Sequence, residues 1–216
     1  MTFVSPSILS ADFANLERDI HAIKESGAEW VHVDVMDGLF VPNITIGMPV
    51  VKALRKVTDL TLDVHLMIDR PIRYVEEFVK SGADYLVIHV EADTEENNLA
   101  ALDKIISMGC KAGVSVKPGT PAEAVKPYLK KCSQILVMTV EPGFGNQSFM
   151  ADMMPKLKKL REMIDAENPG CRLSVDGGIN ANTGRICQEN GADVLVSGSA
   201  FFKAADRKAF VDSLRV

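Results

Sequence analysis

The stretch Trp30-Val31-His32-Val33-Asp34-Val35-Met36-Asp37-Gly38 sets an imidazole and a carboxylate two residues apart in an otherwise apolar, β-branched run. In a strand that spacing turns His32 and Asp34 to the same face. Burying an unpaired carboxylate is costly unless a cation or a hydrogen-bond network satisfies it, so the pair demands a partner. Leu62-Asp63-Val64-His65-Leu66-Met67 carries a second imidazole, and Leu173-Ser174-Val175-Asp176-Gly177-Gly178 a second carboxylate. His32, Asp34, His65 and Asp176, all at strand ends, form a metal-ligand set. Mixed nitrogen and oxygen donors suit one divalent ion, zinc first, with iron, manganese or cobalt also fitting.

Eight short apolar runs can serve as the strands that position this set: Val4 to Leu9, Trp30 to Asp34, Thr61 to Leu66, Tyr85 to His89, Ala112 to Val116, Ile135 to Thr139, Arg172 to Val175 and Val194 to Ser197. Between them lie stretches with apolar residues three and four apart, such as Phe13, Leu16, Ile20 and Ile23, or Met154, Leu157, Leu160 and Ile164, which predict amphipathic helices. Pro49, Pro71, Pro121 and Pro155 stand near helix starts, where a missing backbone donor does no harm. Gly27, Gly82, Gly109 and Gly191, in small-residue turns before strands, are 55, 27 and 82 residues apart, close to multiples of the 27 that eight equal parts of 216 residues would have. Near-continuous apolar strands separated by helices predict a parallel sheet covered on its outer face. Eight units fit one (β/α)8 barrel better than a doubly wound open sheet, because His32, Asp34, His65, His89, Glu141, Asp176 and Ser199 all fall at or just beyond C-terminal strand ends, where barrel enzymes keep their chemistry. No linker interrupts the pattern, so residues 1–216 are expected to form a single catalytic domain.

Composition excludes several function classes. With 29 acidic against 24 basic residues and the basic ones scattered, no nucleic-acid partner is expected. No apolar run approaches the roughly 18 residues of a membrane span, so no membrane partner is expected. Cys110, Cys132, Cys171 and Cys187 form no Cys-x-x-Cys pair and read as buried free thiols, which fits a cytoplasmic location.

The chain resembles the ribulose-phosphate 3-epimerase family through six ordered motifs: Ser5-Pro6-Ser7-Ile8-Leu9-Ser10-Ala11-Asp12-Phe13, Asp34-Val35-Met36-Asp37-Gly38, Asp63-Val64-His65-Leu66-Met67, Val137-Met138-Thr139-Val140-Glu141-Pro142-Gly143-Phe144-Gly145, Asp176-Gly177-Gly178-Ile179-Asn180 and Gly198-Ser199-Ala200. The resemblance implies an α/β fold, a TIM barrel of the ribulose-phosphate-binding type. The implied activity is metal-dependent interconversion of D-ribulose 5-phosphate and D-xylulose 5-phosphate by proton transfer at carbon 3, a pentose phosphate step. It makes His32, Asp34, His65 and Asp176 the metal ligands, and Asp34 and Asp176 also the catalytic proton carriers. Ser7 and His65 become substrate contacts, Met36, Met67 and Met138 an apolar cap over the reacting face, and a homo-oligomer is expected. Gly143, Phe144, Gly145 and Asn146, with Gly177, Gly178, Gly198 and Ser199, are the expected sugar-phosphate-binding loops, since glycines let backbone N–H groups approach an anion. His21 and His89, outside the motifs, are expected to be structural.

Three positions depart from the family pattern: Asn146 replaces a glycine, Leu39 a common histidine and Ser197 a common alanine. None removes a ligand. If the loop needs a left-handed backbone at 146, asparagine is the residue after glycine that best tolerates it. Alternative readings are an epimerase of another ketose phosphate such as allulose 6-phosphate, or a non-catalytic sugar-phosphate-binding barrel. A decarboxylase of the same barrel type would carry Asp-x-Lys-x-x-Asp where this chain has Asp63-Val64-His65-Leu66-Met67-Ile68.

Overall fold

Alternation along each strand divides its side chains between two environments. In the computed structural model, which describes residues 2–215, the strands are β1 (Phe3–Pro6), β2 (Trp30–Met36), β3 (Thr61–Met67), β4 (Tyr85–His89), β5 (Lys111–Val116), β6 (Gln134–Met138), β7 (Arg172–Asp176) and β8 (Val194–Ser197). Each is parallel to its neighbours in the order β1-β8-β7-β6-β5-β4-β3-β2, and a bridge from Ser7 to His32 brings the first strand back to the second. The outward set, including Val31, Val33, Leu62, Val64, Ile135 and Leu173, joins helix residues such as Ile20, Leu54, Leu102 and Leu157 in the main core. The helices are α1 (Leu16–Glu25), α2 (Met48–Val57), α3 (Val75–Lys80), α4 (Glu95–Ser107), α5 (Met154–Glu167), α6 (Ala181–Glu189), α7 (Ser199–Lys203) and α8 (Arg207–Ser213).

The inward set is different in kind. Phe3, Trp30, Tyr85 and Val194 form an apolar floor, and Val87, Leu136, Met138, Val140 and Val196 a second cluster. Ser5, His32, Asp63, Ser115, Gln134 and Ser174 are also fully buried, so much of the interior is polar where barrels usually stack branched aliphatics. Register assigns these groups their partners: His32 lies opposite Asp63, Asp34 opposite His65, and Met138 opposite Asp176.

Two sequence expectations change. The first strand ends at Pro6 instead of Leu9, because the Ser7 hydroxyl accepts from Leu9 N–H at 3.3 Å and caps a 3-10 turn over Ile8–Ser10. Between β5 and β6 the helix expected after Pro121 is replaced by two 3-10 segments, Ala122–Val125 and Leu129–Lys131. Pro127 between them has no N–H to continue an α-helical ladder. All four cysteines are buried and free, as expected.

Candidate active site

Four side chains from three strands converge at the C-terminal end of the barrel. His32, Asp34, His65 and Asp176 each place one ligand atom so that all four lie within 4.8 Å of one another. His32 Nε2 is 3.3 Å from Asp34 Oδ1 and 3.9 Å from Asp176 Oδ2, and His65 Nδ1 is 3.2 Å from the same Asp34 oxygen. Both imidazoles are fully buried, Asp34 is buried, and Asp176 is partly open to the barrel mouth. The other nitrogen of His32, Nδ1, lies 2.8 Å from Asp63 Oδ2, and Asp63 also accepts from Gln134 Nε2 at 3.2 Å. The Asp63 carboxylate therefore holds the proton on Nδ1 and leaves Nε2, which has no hydrogen-bond partner, facing two carboxylates. A buried acceptor aimed at two anions fits a cation between them.

Charge in this cluster is unevenly held. Burial alone would raise the Asp34 carboxyl, but the two imidazoles beside it, His32 first and then His65, outweigh burial and hold Asp34 well below the usual carboxylate range. Burial, with the Asp34 charge adding to it, pushes Asp176 well above that range. Burial opposes the charged form of His32 too, yet Asp34 and Asp63 together keep its pKa well above that of a free imidazole. Two carboxyl groups in one site are thus driven apart, the usual condition for an acid and base pair.

Ser7 links this cluster to a second feature. Its hydroxyl donates to Asp34 Oδ2 at 2.5 Å, and the residue also lines a cavity of about 340 Å³ formed with Gly145, Asn146, Gly178, Gly198 and Ser199. Two of its glycines leave no room for a side chain. A Cβ at Gly178, where φ is +66°, would sit 2.8 Å from the Phe149 backbone nitrogen, and one at Gly198 would sit 2.8 Å from Ser10 Oγ. Three residues expected in the phosphate loops lie elsewhere: Gly143 packs on Val41, Phe144 is 56% exposed, and Gly177 lies beneath Val140. Asn43 and Gln147 fasten the loop after β6 through the Gly143 and Phe144 carbonyls. Ser10, Ser148 and Asn180 line the cavity although the sequence analysis did not single them out; the capping role of Asn180 at α6 is the one local signal that marked it.

Met36, Met67 and Met138 occupy the last positions of β2, β3 and β6 and are buried. Met36 and Met67 pack with Val41, Leu9 and Phe40 under the loop after β2, whereas Met138 joins the inner cluster around Leu136. His21 lies exposed on α1, away from the site. His89 does not: its Nε2 is 2.9 Å from His65 Nε2 and its Nδ1 is 3.0 Å from Glu91 Oε2, which ties it to a ligand of the cluster instead of to the fold alone. Burial pulls the pKa of His89 down to about 4. Hydrogen bonds from His89, Thr120 and Lys117 overcome burial at Glu91 and hold it at about 2.

A sequence model described as the ribulose-phosphate 3 epimerase family matches residues 3–202. The chain belongs to the ribulose-phosphate 3-epimerase family. It is 46% identical over 212 residues to a ribulose-phosphate 3-epimerase of Synechocystis sp., covering 98% of this chain and 92% of that one. It is 45% identical over 216 residues to the Bacillus subtilis enzyme of the same name, covering 100% and 99%. Among solved structures, 3-keto-L-gulonate-6-phosphate decarboxylase from Vibrio cholerae aligns with a TM-score of 0.74 at 13% identity, over 99% of this chain and 95% of that one. A 3-hexulose-6-phosphate synthase from Salmonella typhimurium gives 0.71 at 16%, over 99% and 96%. These two share the fold with this chain. No helix among the described residues is long and apolar enough to cross a membrane.

The family departures have local accounts at two of three positions. Ser197 Oγ donates to the Ile179 carbonyl at 2.8 Å, a bond alanine lacks, and so ties β8 to the Gly178 loop. Asn146 has φ +59°, the left-handed conformation expected for a glycine substitute, and its side chain makes one exposed contact of 3.4 Å with Lys203 Nζ. Asn146→Gly should therefore leave kcat/KM within about threefold, while Asn146→Val, whose branched Cβ resists positive φ, should lower it markedly. Steady-state kinetics of both variants checks this, and equal damage from glycine and valine would show that the amide side chain, not the backbone, matters. Leu39 is 71% exposed and nothing in the structure explains it.

Proposed function

We propose that residues 1–216 form one catalytic domain that interconverts D-ribulose 5-phosphate and D-xylulose 5-phosphate, with Asp34 and Asp176 moving the carbon 3 proton on opposite faces of the substrate. The observation that carries this reading is Ser7, which touches both the cavity and Asp34. A phosphate held by the backbone N–H groups of Gly145 to Asn146, Gly178 and Gly198 to Ser199 would leave the sugar extending past Ser7 to the two carboxylates. Asp34 comes from β2 and Asp176 from β7, strands that are not neighbours, so their carboxyl groups approach from different sides.

Inverting a carbon beside a ketone requires removing its proton, passing through a planar enediolate and returning a proton to the other face. Two carboxyl groups of unequal basicity can do this, each acting as base in one direction and acid in the other. His32 and His65 hold Asp34 in its charged form, and burial beside Asp34 keeps a proton available on Asp176. Met36, Met67 and Met138 would keep water from the enediolate, where a stray proton would erase stereochemical control. His32, Asp34, His65 and Asp176 would hold a divalent ion, zinc by preference with iron, manganese or cobalt as alternatives, which would supply electrostatic stabilisation of charge developing on the substrate oxygens. We place the enzyme in the cytoplasm as a homo-oligomer, exposed Leu39 and Ile44 on the loop after β2 offering apolar surface for self-association.

Reaction of D-ribulose 5-phosphate in heavy water tests the assignment. D-xylulose 5-phosphate should form with deuterium at carbon 3 and none at carbon 1. Exchange at carbon 1 would indicate an aldose-ketose isomerase, and faster turnover of D-allulose 6-phosphate would reassign the substrate.

A further inference from the structure

His89 and Glu91 form a hydrogen-bonded arm behind His65 for which the proposed chemistry has no other use. Glu91 Oε2 faces His89 Nδ1 at 3.0 Å, and His89 Nε2 faces His65 Nε2 at 2.9 Å. Glu91 Oε1 accepts the Lys117 N–H at 2.8 Å and the Thr120 hydroxyl. Lys156 Nζ donates to the Lys117 and Pro118 carbonyls at 2.9 and 2.7 Å and so fixes the segment that supplies that N–H. An ionised carboxylate only accepts, and a neutral imidazole carries one donor and one acceptor. Glu91 imposes a direction from its end of the row, while Asp34, also an acceptor, faces the other end at 3.2 Å, so two neutral imidazoles can satisfy only one carboxylate and a cation must meet the other. Glu91 requires the proton of His89 on Nδ1, which leaves Nε2 an acceptor, which in turn requires the proton of His65 on Nε2. The remaining lone pair of His65, on Nδ1, then points at Asp34. A second proton on His89 would reverse the last step, but that residue is fully buried, and its ring packs at a tilt against Phe40, over which the Lys117 ammonium lies.

We infer that Glu91 acts through His89 as a positioning residue that sets the tautomer of His65 and so makes its Nδ1 a ligand for the metal. The inference rests on the metal-site reading above. Asp63 does the same for His32 directly, so the two imidazoles present lone pairs to one Asp34 oxygen from two independently anchored sides.

Glu91→Gln tests the direction of the row with little change in shape. The Lys117 N–H can only donate, so the carbonyl oxygen of the glutamine must stay on that side. Its NH2 then faces His89 Nδ1 and reverses every bond, putting the proton of His65 on Nδ1. In long-range 1H–15N spectra of the Zn2+-loaded parent chain, His65 should carry its proton on Nε2 and present Nδ1 to the ion. Competition with a chromophoric chelator should show Co2+ bound about 10- to 100-fold more weakly by the variant, the usual effect of losing an outer hydrogen-bond partner of a metal-binding histidine. Glu91→Ala removes the constraint without reversing it and should bind Co2+ with affinity between the two, whereas a purely structural Glu91 predicts that alanine is the more damaging. Thermal unfolding of each variant verifies that it is folded. A His65 proton on Nδ1 in the Zn2+-loaded parent, unchanged Co2+ affinity in Glu91→Gln, or greater loss in Glu91→Ala overturns the inference. Failure of the parent chain to bind Co2+ would instead overturn the metal-site reading on which it rests.

Discussion

Asp176→Asn is expected to lower turnover between D-ribulose 5-phosphate and D-xylulose 5-phosphate at least about a hundredfold, within the range of a lost general acid or base. The replacement keeps shape but cannot carry a proton, and it removes one of two anions facing His32 Nε2. Asp34→Asn should be at least as damaging to turnover and more so to the site, because Asp34 also faces both imidazoles and accepts from Ser7. Metal content of each variant, measured after dialysis, separates loss of the ion from loss of the proton carrier. Single-carboxylate variants carry a further signature. With one carboxyl group left, a proton can leave and return on one face only, so deuterium should wash into carbon 3 of one epimer without conversion to the other. Asp34→Asn and Asp176→Asn should favour opposite epimers. Full epimerisation by either variant, or full activity after chelation, would end the two-carboxylate account.

Free D-ribulose should be converted with kcat/KM lowered about a thousandfold or more relative to its 5-phosphate, equivalent to roughly 4 kcal/mol of transition-state stabilisation. The cavity beside Ser7 offers backbone N–H groups and small side chains, suited to an anion, and it lies away from the carboxyl groups that do the chemistry. Binding energy gained there holds the sugar in place for proton transfer without contributing to bond breaking itself. Gly198→Ala provides the matching structural test, since the added carbon would stand 2.8 Å from Ser10 Oγ and 3.7 Å from Ser7 Cβ. It should lower kcat/KM for the phosphorylated sugar and leave the already low value for the free sugar nearly unchanged. Similar efficiencies for the two sugars would mean that the cavity has another occupant.

The barrel itself was legible because its signal is local. Period-two alternation marks which residues of a strand face inward, so His32 and Asp34 could be assigned to one face from spacing alone. Positive φ at Asn146 was likewise readable, since the demand falls on a single residue's own backbone. Fold likeness would have been a poorer guide to chemistry: the structures that superpose here include a decarboxylase and a synthase at 13% and 16% identity.

What the tertiary structure decided are the pairings between chemically identical candidates. Nothing near His89 in sequence distinguishes it from a satisfied core histidine; its place behind His65 follows from the register of neighbouring strands and the inward turn of both rings. Asp63 was in view as part of a motif, yet its role toward His32 appears only where β2 and β3 set the two side by side. Of three glycine-rich loops, the sequence could not tell which residues line the cavity and which lie beside it, and Gly143, Phe144 and Gly177 lie beside it. Ser7, expected within the first strand, acquired two partners because the chain turns there and a bridge ties it to β2. Residue type and spacing limit what a side chain can do. Which acceptor meets which donor is set by contacts between segments distant in the chain, through strand register and barrel closure, and those distances are not encoded in any one stretch.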